Sequence, residues 1–190
     1  MEFKMIKELL LKTRSYRRYD ENIALTDADV EAIAEAVRFV PSAGNLQRIR
    51  IAFVNETLQN AEVFETLGFA AYLKDWRGPS AGERPVGYAV LMTEGEPDTN
   101  LAIDIGIAAE AMLLTAMERG IGGCIFRSFK RERLSEILNR DGLTPVLVIS
   151  FGRPAEQVVI EDIKDGNVKY YRDDGGVHHV PKRTLDDILV

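Results

Sequence analysis

The chain has 190 residues, a formal net charge of -6 and a pI of about 5.1, with 46% hydrophobic and 28% charged residues. That balance suits one soluble domain with a sizeable core and argues against a general nucleic-acid binder, which would be basic. A single cysteine, Cys124, excludes an intrachain disulfide framework.

Residues 3–12 predict an amphipathic helix, with Phe3, Ile6, Leu9 and Leu10 at helical spacing. Glu2 and Glu8 and the lack of a small-residue cleavage site speak against a secretory signal. "LTDADVEAIAEAVRFV" predicts a second helix, with Thr26 as N-cap and Asp29 in a capping-box position. Val30, Ile33, Ala34 and Val37 form its inner face, and Pro41 ends it. Residues 49–54 predict a strand, 61–73 a helix weakened at Gly68, and "KDWRGPSAGERP" a loop. Residues 86–93 predict a buried strand.

The longest predicted helix runs from Asn100 to Arg119, and its apolar positions go most of the way around. Such a helix packs within the fold and against a partner, so a dimer interface is expected. Small residues at 102, 106, 108, 109 and 111 permit close approach. Asp104 and Glu110 interrupt the apolar segment 101–117, so no membrane span is predicted and a cytoplasmic protein is expected. Gly120 is a natural helix terminator, and residues 124–126 form a short strand. "SFKRERLSEIL" predicts a helix starting at Ser128 or Phe129, and 144–154 is the clearest strand. The tail ends on Leu185, Ile188, Leu189 and Val190, so it is expected to extend along another subunit or close a local site. Strands separated by helices argue for an α+β or mixed layered fold.

"PSAGNLQRIR", residues 41–50, holds more than a turn requires. Gly44 permits close backbone approach to a ligand, and Asn45 and Gln47 offer amides beside it. Basic residues cluster at Arg14, Arg17 and Arg18, at Arg48 and Arg50, and at Lys182 and Arg183. Two of these clusters adjoin Ser15 and Thr184, a combination matched to a terminal phosphate. No dinucleotide or P-loop fingerprint is present, since "GIGG" follows a helix instead of opening one. Gly122 and Gly123 in that stretch let backbone groups meet a flat ring. His178 and His179 show no zinc-site spacing, and no catalytic triad is assigned. Tyr170, Tyr171 and Trp76 serve either as packing or as cover for a planar substrate. So few acid–base candidates suggest that a cofactor performs the difficult chemistry.

The chain resembles the nitroreductase-like family of flavoproteins. The segments that carry the likeness are "TRSYRRY" (13–19), "PSAGNLQ" (41–47), "AAEAMLLTAMERGIGGC" (108–124), "VLVISFGRP" (146–154) and "VPKRTLDDIL" (180–189). The resemblance implies a central mixed, mainly antiparallel sheet flanked by helices, with the C-terminal segment extending onto the partner subunit. It implies a homodimer with two FMN sites at the interface. NADH or NADPH would reduce FMN, and a nitroaromatic, quinone or other conjugated acceptor would take the electrons. Carried onto this sequence, Arg14, Ser15 and Arg17 fall to the phosphate and ribityl region, and Ser42, Asn45 and Gln47 lie near the flavin. Gly122 and Gly123 would sit beside the ring, and Lys182 and Arg183 would return to the phosphate. Thr13, Arg48, Ile49 and Glu110 depart from the family pattern. No catalytic side chain and no metal are implied. The alternatives are a flavin-handling protein without redox turnover and a cofactor-free dimeric interaction protein.

Overall fold

The run "GYAVLMTE" lies at the centre of the molecule. As β3 (Gly87–Glu94) it pairs antiparallel with β2 (Arg50–Val54) on one side and β5 (Leu143–Pro154) on the other. Successive strand side chains point to opposite faces, and both faces are covered here. Ala89 and Leu91 join Leu147, Ile149 and Phe151 on one face, while Tyr88, Val90 and Met92 join Val148 on the other. Burial on both faces explains why the segment reads as an unbroken apolar run instead of an alternation. β4 (Gly122–Phe126) pairs with the middle of β5, and β1 (Tyr19–Asp20) pairs with its last two residues. All these pairings are antiparallel, and one isolated parallel bridge joins Ser15 to Gly123. The computed structural model describes residues 2–73 and 75–190.

Helices cover both faces, giving the expected α+β architecture. α2 (Asp27–Glu35) contributes Ile33, and α4 (Thr99–Glu118) contributes Leu101, Ile105, Ala108, Ala109 and Met112, to one side of the sheet. α3 (Thr57–Phe64) and α5 (Arg131–Leu138) cover the other side with Val63, Leu134 and Leu138. Each large side chain buried in this way contributes about 1.5–3 kcal/mol of transfer free energy. α1 (Glu2–Lys12) leaves Ile6 and Leu10 exposed, and the predicted anchor Phe3 has its side chain outside the described residues.

Several boundaries differ from the sequence reading. α2 gives way to a 3-10 turn at Ala36–Arg38, before Pro41 is reached. α3 starts and stops earlier than the predicted helix over 61–73. Thr66 turns its hydroxyl onto the Val63 carbonyl at 2.7 Å, and the Gly68 amide bonds the Ser128 carbonyl at 2.8 Å. That second bond draws 66–69 toward the segment before α5, where Leu67 bridges Phe129. Ser128 and Phe129 are thereby held in extended backbone, so α5 begins after Lys130. The predicted loop 74–85 includes Lys74, which lies outside the described residues.

α4 is fixed at both ends. The Asp98 side chain accepts from the Leu101 amide at its start. At its end the Gly120 amide bonds Met117 O and the Ile121 amide bonds Ala116 O, with Gly120 at φ +73°. This is the Schellman pattern, which favours glycine at that left-handed position. By length and composition α4 is apolar enough to cross a membrane, contrary to the sequence expectation. Its inner face is nevertheless packed on the sheet, and Asp104 is buried on a hydrogen bond from the Ala43 amide.

The tail contains strands that the sequence reading did not separate. β8 (His178–Lys182) runs parallel to β6 (Val158–Asp162) and antiparallel to β7 (Tyr171–Arg172). Beyond it, Leu185, Ile188 and Leu189 are exposed.

Candidate functional site

The segment after α1 is held by its backbone, which leaves its cationic side chains to point elsewhere. The Tyr16 amide bonds the Gly123 carbonyl, extending β4's edge. One oxygen of Glu156 accepts the amides of Arg17 and Arg18, and the other accepts Arg172 Nη2 at 2.8 Å. The Glu156 side chain is only 1% exposed, and Arg172 in turn stacks on Trp76 at 4.2 Å. Trp76 is thus a packing residue under the tail sheet.

Arg17 lies over the Tyr170 ring at 5.1 Å, and its Nη1 is 3.4 Å from His178 Nε2. Burial, reinforced by the Arg17 charge, lowers the His178 pKa to about 4. The neutral ring therefore accepts at Nε2, which assigns the hydrogen to Nδ1. His178 Nδ1 and Arg14 Nε are both buried without a hydrogen-bond partner among the described residues. His179 instead lies between Glu161 and Asp173, at 3.1 and 3.2 Å, and its pKa is raised, first by Asp173. Burial pushes the Cys124 thiol up, so it behaves as a core residue.

These groups surround a cleft of about 300 Å³ that brings together Arg14, Ser15, Arg17, Tyr170, His178 and Lys182, with Glu110 of α4 facing them. Among the described residues Arg14, Arg17, Lys182 and Arg183 form no ion pair. Three cations against one carboxylate leave the cleft electropositive. Arg183 is exposed beside Lys182 and does not line it. Gly122 and Gly123 are buried in β4 under this region. A Cβ on Gly122 would meet Tyr16 at 2.5 Å, and one on Gly123 would meet Leu113 at 2.5 Å. Close packing therefore requires both glycines, whatever binds nearby.

The loop holding Ser42, Asn45 and Gln47 lies elsewhere on the same protomer. Ser42 Oγ accepts the Gln47 amide at 3.2 Å, and the Gln47 side chain donates to Asn45 O at 3.3 Å. Gly44, Asn45 and Gln47 all adopt positive φ, at 58°, 54° and 49°. Two non-glycine residues in that region mark a strained backbone of the kind that clusters at ligand sites. The loop borders its own cleft of about 350 Å³, with Ser42, Asn45, Gln47 and Asp104 in its walls. Asp104 ties it to α4, six residues before Glu110, or about 9 Å along the helix. Within one protomer the predicted site thus falls into two groups on neighbouring parts of α4.

The Arg48–Arg50 cluster is not an anion site. Arg48 makes a two-pronged contact with Asp98 at 2.7 and 2.9 Å, and Arg50 pairs with Glu94 at 3.5 Å. Sequence reasoning missed Glu156 and the burial of His178. Glu156 contacts residues about 140 positions away, and no local spacing signals that. Asp104 did carry a signal, as one of two acids interrupting the apolar segment 101–117, although its role in holding the loop did not.

The sequence profile of the Nitroreductase family matches residues 10–153, well over half of the chain. A nitroreductase family protein from Streptococcus pneumoniae superposes with a TM-score of 0.68 at 18% identity, covering 97% of this chain and 98% of its own. One from Clostridium difficile gives 0.65 at 17% identity, covering 96% and 95%. NfnB from Mycobacterium smegmatis, described as an FMN-dependent nitroreductase in complex with NADPH, gives 0.68 at 17% identity, covering 82% and 90%. The sheet, the helices on its two faces and the family match agree: this chain belongs to the nitroreductase family.

Proposed function

We propose that this chain is an FMN-dependent NAD(P)H oxidoreductase of the cytoplasm, in which two copies of one 190-residue domain form two cofactor sites between them. The observation that carries the proposal is the cleft where Arg14, Arg17 and Lys182 converge with no ion-pair partner among the described residues. Uncompensated cations beside the Ser15 hydroxyl suit a phosphate monoester. The orphaned Arg14 Nε and His178 Nδ1 are donors of the kind such a group satisfies. The residues present therefore fit the phosphate end of FMN, with Arg183 adding charge outside the cleft.

Ser42, Asn45 and Gln47 sit on a loop whose shape suits polar contacts to a heteroaromatic edge. In the proposed dimer, the cleft of one protomer and the loop of the other complete each site. Residues 185–190 then extend onto the partner subunit. Gly122 and Gly123 contribute by letting Tyr16 and α4 close onto β4. When bound, FMN supplies the transfer of electrons from NADH or NADPH to a nitroaromatic, quinone or other conjugated acceptor. The chain supplies binding, orientation and electrostatics, and no side chain acts as nucleophile. The description of NfnB as FMN-dependent and NADPH-bound supports the same assignment.

The test is anaerobic absorbance of protein supplemented with FMN and then desalted. A retained flavin spectrum that bleaches on adding NADH or NADPH is expected. Arg17→Gln and Lys182→Gln should each weaken FMN binding by about tenfold or more at unchanged melting temperature. No retained flavin, or retained flavin that neither nucleotide bleaches, would overturn the assignment.

A further inference from the structure

A third pocket shares no lining residue with either cleft described above. It lies between β3, α3 and the 82–86 segment, has a volume of about 200 Å³, and is bordered by Glu21, Asn60, Phe64, Arg84 and Tyr88. Three buried polar atoms on its walls have no hydrogen-bond partner among the described residues: Tyr88 Oη, Asn60 Oδ1 and Arg84 Nε. Tyr88 is fully buried, at 0% exposure. Orphaned buried polar atoms are rare, and each costs the desolvation of its group. Three around one cavity indicate that something polar completes them.

Their chemistry defines the occupant. The Arg84 guanidinium rests over the Phe64 ring at 4.4 Å and has no carboxylate within ion-pair distance among the described residues. Arg84 and the Tyr88 hydroxyl are thus donors awaiting an anionic acceptor. Asn60 already donates Nδ2 to Val86 O at 2.8 Å, which leaves Oδ1 as an acceptor awaiting a donor. One Glu21 oxygen holds the amides of Gly82 and Arg84, at 2.5 and 3.3 Å, and places a negative charge at the same pocket. Anion-seeking and cation-seeking groups therefore line the same small space. The volume equals about seven waters' share of liquid, too small for a nucleotide or a drug-sized ligand. We infer that this pocket binds a small zwitterion of the α-amino-acid type, its carboxylate on Arg84 and Tyr88 and its ammonium toward Asn60 Oδ1 and Glu21. Phe64 and Val86 supply apolar wall for a short side chain.

Isothermal titration of the FMN-supplemented full chain with L-alanine, L-serine and L-valine tests this directly. Acetate and ethylamine serve as half-probes, each carrying one of the two charges. Saturable binding of at least one amino acid is expected, about tenfold or more tighter than either half-probe. Tyr88→Phe and Arg84→Gln should each weaken it by a similar factor. Tyr88→Phe removes an unpartnered hydroxyl, so its melting temperature should equal or exceed that of the parent, and Arg84→Gln decides the matter should Tyr88→Phe fail to fold. No saturable binding, acetate binding as tightly as the amino acids, or unchanged affinity in the folded variants would each overturn the inference. None of these readouts depends on flavin reduction.

Discussion

Glu156 shows how one carboxylate can shape a site it does not line. It holds the amides of Arg17 and Arg18 while its other oxygen pairs with the mostly buried Arg172. Removing one member of a buried pair leaves the other charge stranded, at a cost of about 3–5 kcal/mol. Glu156→Gln is therefore expected to destabilise the protein by about 3 kcal/mol in urea unfolding at neutral pH. Adding Arg172→Met removes the stranded charge and should recover much of that stability. The double variant still presents only a neutral amide to Arg17 and Arg18, so its FMN affinity should stay below the parent's. A double variant with parental affinity would show that this grip does not position the cleft. At this scale the sequence was legible where chemistry is local. Arg14, Ser15, Arg17 and Lys182 line one cleft, and the grouping of cations beside a hydroxyl at residues 14–17 is visible in a short stretch of sequence. Glu156 and His178 were not legible, because their roles arise from burial and from partners distant in sequence.

One acidic side chain adds a polar tie between α2 and the end of α4 to their apolar packing. Thr26 and Asp29 form a reciprocal capping box, and Asp29 Oδ1 also accepts from Arg119 Nε at 2.7 Å. Burial alone would raise the Asp29 pKa, but the hydrogen bonds from Thr26 and Arg119 outweigh it and hold the value at about 2. A carboxyl with a depressed folded-state pKa stabilises fully above its unfolded value of about 4 and loses that contribution as the pH falls toward 2. Asp29→Ala should thus cost about 2 kcal/mol at pH 7 from the lost cap and charge-assisted bond. Thermal unfolding at pH 7, 4 and 2.5 should show the gap between parent and variant narrowing only below pH 4. A gap constant across that range would mean that Asp29 ionisation contributes nothing. The capping box was readable because its signal spans four residues, as was β3 because both its faces are buried. The end of α3 was misplaced because the Gly68–Ser128 bond, a tertiary contact, overrides helix propensity. Strands β6 to β8 were missed because they are short and pair mostly with one another instead of with the main sheet.

The molecule as a whole leaves an apolar surface on α4, and the proposed dimer is expected to cover it. Along α4, Ala102, Ile103, Gly106 and Ile107 form one exposed stripe, with Ile103 at 58% and Ile107 at 38% exposure, while the opposite face is packed on the sheet. A helix apolar on nearly all sides signals burial, but the sequence could not say which side the fold itself covers. The structure separates the two faces. The outward one carries small residues at 102 and 106 that permit close helix approach, and it lies between the two halves of the predicted site. In a two-fold dimer the same patch serves both subunits, so one substitution acts twice. Ile107→Glu would bury two unpaired charges, each costing several kcal/mol, and should weaken dimerisation by about a thousandfold or more. Analytical ultracentrifugation should find the parent near twice the 21.3 kDa chain mass and the variant near that mass itself. Leu58→Glu, on α3 at 86% exposure and away from the stripe, should leave the dimer intact. FMN should be lost together with the dimer in Ile107→Glu, because each proposed site draws its loop from one protomer and its cationic cleft from the other. A folded monomer that keeps FMN at parental affinity would place the whole cofactor site within one chain and remove the loop at 41–47 from it.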